Sequence, residues 1–452
     1  MYNQSLAMLS RLVDGELLGP DIDICGAAAD HRQVTPGNLF FALPGARQDG
    51  HDYVAQAVAN GAVGAVVSRQ GEYPCSVVLV PDTKKALIKI ATARLVGSSA
   101  KVVAITGSVG KTSVKEMTAA ALKGVMKVYR SPGNFNTEVG LPLSVLNHGD
   151  EDVLVLEMGM RGLGQIAALA LVAPPDIAII TNVGEAHIEL LGTRENISQA
   201  KGEILLGMKA GGTAILCRDD DFYDFHRHLT RGPVLSVGYH PDADLRLSQS
   251  VLDEDGCCHY MLQSGAESFP VYVPWPGRHN ALNSSLAIAA AVVLGVDIAQ
   301  AIAGIQRCAV KSQRLEVVNL PQGYTLIDDT YNASPTSVVA ALHTLDHIAK
   351  GRRRVSVLGS MFELGERSQA AHQEVGEVAG ERCDLVVTLG KEAQGIAKAT
   401  RAKGIKTVEC DEPEQVLAVL RTELRSGDVI LVKGSRGMQM ERITAVLRKG
   451  DD

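Results

Sequence analysis

The string V-V-A-I-T-G-S-V-G-K-T-S, which begins at Val102, leaves this chain few folds to choose from. Val102, Val103 and Ile105 make a short β-branched run suited to a buried strand. The run stops at Gly107, Ser108, Val109 and Gly110, and residues 113–126 then carry helical spacing rich in Ala, Lys, Glu and Met. Strand, glycine loop, Lys-Thr and helix is the plan of a phosphate cradle. Glycine lets backbone N–H groups close on an anion, and the helix N-terminus adds partial positive charge. In such a cradle Lys111 meets the terminal phosphates, and the Thr112 hydroxyl, followed by Ser113, sits on Mg2+. The loop is shorter than the common G-x-x-x-x-G-K pattern, so the bland alternative is an ordinary strand-to-helix turn.

A chain of 452 residues exceeds one hydrophobic core and predicts several domains. Hydrophobic residues at 46% beside 21% charged ones read as a soluble globular chain. Lys and Arg number 44 against 51 Asp and Glu, and the resulting −7 argues against a general nucleic-acid or anionic-membrane surface. The eight cysteines show no C-x-x-C pair, which predicts reduced, mostly buried thiols in a cytoplasmic protein. Residues 1–19 lack a basic start followed by an apolar core, so no signal peptide is expected. The longest apolar stretch, 284–296, is too short to span a bilayer and reads as a core helix, with no membrane insertion expected. A monomer is the expected state.

The overall pattern predicts an α/β protein of three units. Residues 1–83 alternate strands at 38–43, 62–68 and 76–80 with a helix at 53–60. Residues 84–312 hold the phosphate strand and further strands at 153–157, 177–181 and 213–217, the alternation of a parallel sheet. At 244–273 the pattern changes to short segments joined by turns such as Asp253-Glu254-Asp255-Gly256, read as a small antiparallel side sheet. Residues 313–452 carry strands at 325–328, 354–358, 385–389, 407–410 and 429–432, each followed by a helical stretch, as in a doubly wound, Rossmann-like domain.

Further residues stand where chemistry is expected. Glu157 ends the apolar strand V-L-V-L-E, and a carboxylate at that end of a parallel strand faces the ligand crevice, where it could hold Mg2+. His187 follows another strand end, I-I-T-N-V-G-E-A-H. Lys201, in S-Q-A-K-G-E-I, reads from spacing alone as a surface lysine. Asn280 and Asn283 share one helix face, and their amides suit either an adenine edge or a helix cap. Arg314 could reach a terminal phosphate once domains close. Asp328 and Asp329 follow a strand where a carboxylate could take ribose hydroxyls. Lys433, Ser435 and Arg436 follow the last strand and could bind a substrate carboxylate. Each of these also has an ordinary reading as a turn, a cap or a solvated charge.

Taken in order, T-G-S-V-G-K-T-S-V-K-E-M, N-F-N-T-E-V-G-L-P, E-M-G-M-R-G-L-G-Q-I, N-V-G-E-A-H, A-K-G-E-I, P-G-R-H-N-A-L-N, D-D-T-Y-N-A-S-P, G-S-M-F-E-L-G and K-G-S-R resemble the Mur ligase family across essentially the whole chain. The resemblance implies a first domain that grips a UDP-sugar peptide, a central ATP-binding domain, and a third domain that closes over both and helps bind the amine. It implies an ADP-forming ligase of peptidoglycan precursor synthesis that uses ATP and two Mg2+ ions. By motif, residues 107–113 wrap the phosphates, and Thr112 and Glu157 hold one Mg2+. His187 and Lys201 serve the second, Lys201 resembling a carbamylated lysine. Asn280 and Asn283 face adenine, Asp329 the ribose, and Arg314 the phosphate. D-D-T-Y-N-A-S-P is similar to the class that joins D-Ala-D-Ala to UDP-MurNAc-tripeptide, and no D-Y-A-H-T-P string is present. Asp30 and Arg32 resemble the uridine-side motif, from which His31 departs, since Ser or Thr usually stands there. A P-loop kinase or NTPase is the reading from a different class.

Overall fold

The computed structural model describes residues 4–45, 48–309 and 313–450. Ser312, at the expected break before the third unit, lies outside the described residues. Among the described residues the strands form four sheets, one of them a two-residue ladder between Gln4–Ser5 and Asp23–Ile24.

The first unit is built on a five-stranded sheet in the order Glu16–Leu18, Ser76–Leu79, Gly64–Val67, Leu39–Phe41, Ala27–Ala28, parallel except for the first strand. Alternating side chains feed two cores. Leu39, Phe41, Val66 and Val78 meet helices Leu6–Leu12 and Thr83–Val96, while Phe40, Ala65 and Val77 meet Val54–Ala59. Asp82 caps Thr83–Val96 by accepting from the N–H groups of Lys84 and Lys85, both at 2.9 Å. The end of that helix, Ala91 and Leu95, packs into the central unit.

The central sheet has nine strands: Glu267–Pro276, Cys257–Ser264, Leu245–Leu252, Val234–Gly238, Thr213–Cys217, Ile177–Ile180, Lys101–Thr106, Val153–Glu157, Val128–Arg130. Its parallel part is covered on both faces, as parallel sheets require. Val103 and Ile105 pack under helices Lys111–Leu122 and His279–Val293, and Val102 and Ala104 pack under Gln165–Val172 and Arg194–Leu206. Each such fully buried Val or Ile side chain contributes about 1.5–3 kcal/mol. The three antiparallel strands are present, and they extend the central sheet instead of forming a separate layer. Val237 pairs with Leu245 and Gly238 with Arg246, and Leu247, Tyr260, Val273 and Trp275 share the core of helix His279–Val293.

The third unit has six strands in the order Glu316–Asn319, Thr325–Asp329, Val429–Lys433, Arg354–Gly359, Leu385–Leu389, Lys406–Cys410, with only the first antiparallel. Ile327, Leu358 and Leu431 face helices Pro335–Ala349 and Ser368–Arg382; Leu326, Val357 and Val432 face Pro413–Glu423 and Glu441–Lys449. This unit rests on the antiparallel strands of the central one. The His347 ring lies 2.7 Å from the Asp253 carbonyl, and Lys350 pairs with Glu254 at 3.4 Å. No helix among the described residues is long and apolar enough to cross a membrane.

Sheet order positions the site. Lys101–Thr106 lies between Val153–Glu157 and Ile177–Ile180, with Glu157 opposite Ile105 and Ile180 opposite Thr106. Three strands therefore end side by side, and their loops converge on one edge.

Candidate active site

Gly107 and Gly110 are dictated by close approach. At φ 152° a Cβ on Gly107 would lie 1.8 Å from Thr181 Oγ1, and at φ 85° one on Gly110 would lie 2.7 Å from Asn283 Oδ1. We expect Gly110→Ala to lower stability by about 1–3 kcal/mol through backbone strain and this contact. A thermal melt with an unchanged Tm would contradict that expectation.

The loop is braced from behind. Ser108 N–H donates to Asn182 O at 3.0 Å and Val109 N–H to Asn182 Oδ1 at 3.1 Å. Thr181 Oγ1 donates to Val109 O at 2.6 Å, and Gly184 N–H to Ser108 Oγ at 2.8 Å. Ser108 and Val109 thus turn their N–H groups inward. The N–H groups of the first helical turn, at Lys111, Thr112 and Ser113, have no partners within the helix. Lys111 Nζ folds back on Gly107 O at 2.7 Å and Ser108 O at 3.3 Å. Burial pushes its amine down, with Glu157 pulling the other way.

Thr112 is the meeting point. Its Oγ1 donates to Glu157 Oε2 at 2.8 Å and accepts from the Arg314 guanidinium of the third unit at 3.0 Å. The buried Glu157 also takes Asn136 Nδ2 at 2.9 Å, and Lys115 Nζ lies 3.8 Å away. Arg314 lies over the Tyr331 ring, 4.1 Å from its centroid.

Lys201 is not a surface lysine. Helix Arg194–Leu206 turns it inward, it is 1% exposed, and its amine makes no hydrogen bond among the described residues. Burial pushes the amine well below its ordinary value, the nearby Lys111 adds to this, and Asp220 opposes it. His187 has a left-handed backbone at φ 68°, and its Nδ1 lies 2.6 Å from Glu363 Oε2, a carboxylate of the third unit. Glu363 is itself left-handed at φ 63°. Such strain costs about 1–3 kcal/mol per residue and persists where surroundings enforce it. The His187 ring holds the Glu363 carboxyl below the usual carboxylate range.

Asn280 and Asn283 are buried and bonded to one another, Asn283 Nδ2 donating to Asn280 Oδ1 at 3.0 Å, while Asn280 Nδ2 donates to Pro276 O at 2.8 Å. Asp329 and Asp328 point to different partners. Asp329 pairs with Lys433 at 2.6 Å, whereas Asp328 is taken by Thr330 Oγ1 at 2.7 Å and Arg448 at 3.0 Å. The expected carboxylate-binding trio divides by exposure. Lys433 and Ser435 are buried and bonded internally, Lys433 to Asp329 and Asn332 O, and Ser435 as acceptor from Phe362 N–H at 2.8 Å. Arg436 alone of the three is exposed. Asp30 and Arg32 pair with each other at 2.6 Å in the first unit, and the His31 ring stacks on Tyr53 at 4.7 Å.

Comparison with known proteins now decides the family. The chain matches the Mur ligase family, catalytic domain, over residues 24–130, the Mur ligase middle domain over 105–291, and the Mur ligase, glutamate ligase domain, over 313–436. It is 35% identical to the UDP-N-acetylmuramoyl-tripeptide–D-alanyl-D-alanine ligase of Bacillus subtilis (strain 168), covering 98% of each chain. It is 34% identical to the protein of that name from Escherichia coli (strain K12), covering 99% of each. This chain belongs to the Mur ligase family.

Solved structures agree with the α/β architecture of this Mur ligase. MurF from Acinetobacter baumannii superposes with a TM-score of 0.89 at 29% identity over 100% of both chains. MurF ligase from Thermotoga maritima, in complex with ADP, gives 0.81 at 33% identity over 94% of this chain and 97% of that one. Sequence reasoning passed over Lys115, Asn136 and Glu363, which the fold brings against Glu157 and His187. Lys115 lies one helical turn beyond Lys111, yet it is fully buried and donates to Ser131 O at 2.8 Å and Gly133 O at 3.0 Å. The signal available for all three was their place inside the quoted strings.

Proposed function

We propose that this Mur ligase joins D-Ala-D-Ala to UDP-MurNAc-tripeptide, converting ATP to ADP and phosphate, in peptidoglycan precursor synthesis. The observation that carries the reading is the Thr112 hydroxyl held between Glu157 at 2.8 Å and Arg314 at 3.0 Å, at a helix N-terminus behind a glycine loop. That arrangement suits a nucleotide whose last phosphates face both the central and the third unit. Residues 1–83 are assigned the UDP-sugar peptide, with Asp30 and Arg32 on the uridine side. Residues 84–312 are assigned ATP, with Asn280, Asn283 and Asp329 around the nucleoside. Residues 313–452 are assigned closure and the amine substrate, with Arg436 nearest to solvent. Among the described residues no cysteine forms a disulfide, which fits a cytoplasmic protein, and a monomer is the proposed state.

The residues present fit Mg2+. Thr112 and Glu157 offer adjoining hard oxygen donors. Among the described residues no three His, Cys, Asp or Glu side chains converge on a metal, so the nucleotide's own oxygens would complete each shell. Lys201 as an ammonium does not suit a cation. As a neutral amine it adds CO2, releasing a proton and leaving a carbamate whose oxygens do. Mg2+, when bound, offsets charge on the transferring phosphoryl group.

The chain's own groups do the rest. Lys111 exchanges the Gly107 and Ser108 carbonyls for phosphate oxygens. Arg314 meets the charge that develops on the phosphoryl group. The tripeptide carboxylate attacks the γ-phosphorus, the bond to ADP breaks, and an acyl phosphate forms. The D-Ala-D-Ala amine then attacks the acyl carbon and phosphate leaves. Acyl phosphates hydrolyse, so the docked third unit serves to exclude water. In a phosphate-release assay, ADP and phosphate should appear only when UDP-MurNAc-tripeptide and D-Ala-D-Ala are both present, with single D-Ala and L-amino acids inert. ADP formation without either substrate would return the chain to the NTPase reading.

A further inference from the structure

The loop that carries His187 is gripped by the third unit along its length. Glu363 Oε2 lies 2.6 Å from His187 Nδ1, and Glu363 O accepts from Glu189 N–H at 3.3 Å. Arg367 pairs with Glu185 at 3.0 Å, and Ile188 packs against the third unit's core. Gly365, at φ 52°, lets the backbones close, since a Cβ there would lie 3.1 Å from Glu189 Cα. The other Glu363 oxygen lies 3.3 Å from Arg161, on the loop that follows Glu157. One carboxylate thus touches the loops after two strands of the central sheet. Both residues at the centre of the contact, His187 and Glu363, hold left-handed backbones.

We infer that Glu363 is a positioning residue, carried in by the third unit, that fixes the His187 ring through Nδ1 and so leaves Nε2 as the nitrogen offered to a divalent cation. A carboxylate on one imidazole nitrogen sets the tautomer and raises the basicity of the other. In the undocked protein His187 lacks this partner, so the cation site that His187 serves is complete only when the third unit is seated. Binding of the second cation and closure of the third unit are then coupled through one side chain. The inference rests on the proposed role of His187 as a cation ligand.

The test is a double-mutant cycle on the full chain with a non-hydrolysable ATP analogue, counting bound Mn2+ by the loss of its free electron-spin signal. Glu363→Ala should weaken the weaker Mn2+ site about tenfold or more and lower kcat in step. Glu363→Gln, whose amide oxygen can take the same place beside Nδ1, should recover most of both. In a His187→Ala background Glu363→Ala should add nothing. Arg367→Ala removes the pair with Glu185, together with the one to Glu374 inside the third unit, and leaves Glu363 in place; it should speed amide exchange at Glu189 yet leave Mn2+ affinity within about twofold. Unchanged Mn2+ binding in Glu363→Ala, additive losses in the cycle, or an equal loss in Arg367→Ala would each overturn the inference. If His187→Ala weakens Mn2+ binding while Glu363→Ala is silent, only this inference falls. If His187→Ala is itself silent, the cation role of His187 falls with it.

Discussion

Lys201→Ala should lose ligase activity, with kcat down at least about 10^2–10^3-fold, the scale on which removal of one group that stabilises transition-state charge is felt. The side chain is 1% exposed and contributes no hydrogen bond to the fold among the described residues, so its burial as an amine has no structural return. Burial and Lys111 push that amine well below its ordinary value, which favours the neutral form, the one able to add CO2. Three further results are expected. Stripping CO2 from the buffer should lower activity, and bicarbonate should restore it. Acidification should also lose activity, because the protonated amine no longer adds CO2. Short carboxylate replacements at this position should regain part of the rate at high Mg2+. Full activity in Lys201→Ala would remove the carbamate from the mechanism.

Arg314→Ala should lower kcat by about 10^3-fold or more, as loss of an arginine that meets a transferring phosphoryl group does. The KM for ATP should move far less, since the glycine loop and helix N-terminus remain. Arg314→Lys should not rescue it. The guanidinium is planar, lies over Tyr331 at 4.1 Å and reaches Thr112 at 3.0 Å, and an ammonium reproduces neither the stacking nor the fork. Steady-state kinetics of the three proteins decides this. Equal kcat in wild type and Arg314→Ala would place the guanidinium outside the phosphoryl-transfer step.

Much of the architecture is legible in local pattern. Strands such as Lys101–Thr106 and Val153–Glu157 are apolar on both faces, and the sharp break at Gly107 marks where the helix must begin. Val128–Arg130 and Glu316–Asn319 escape notice because they are short sheet-edge strands whose side chains are only partly buried. Val234–Gly238 is missed for a related reason, its first two residues being half-exposed. Helix Lys111–Leu122 ends before the expected residue 126 because Lys123 turns to extended backbone and Gly124 to φ 93°.

The site divides the same way. Glu157 and Thr112 announce themselves through strand-end and helix-start position, which depend on neighbours in the chain. Lys115 and Lys201 look like solvated helix charges until the sheet is assembled beneath them, because polarity along a helix does not reveal what covers it. Asp328 and Asp329 are equivalent as a sequence pair; only the strand pleat, which sends one to Arg448 and the other to Lys433, separates them.

The amino-acid string by itself determined the order of strands and helices, the glycine loop and the family, since each follows from short-range periodicity and from motifs a few residues long. The tertiary structure alone decided which charges are buried and which meet across 202 residues of chain, as Arg314 and Thr112 do. Desolvation and pairing are set by what packs from elsewhere, and no local spacing encodes that.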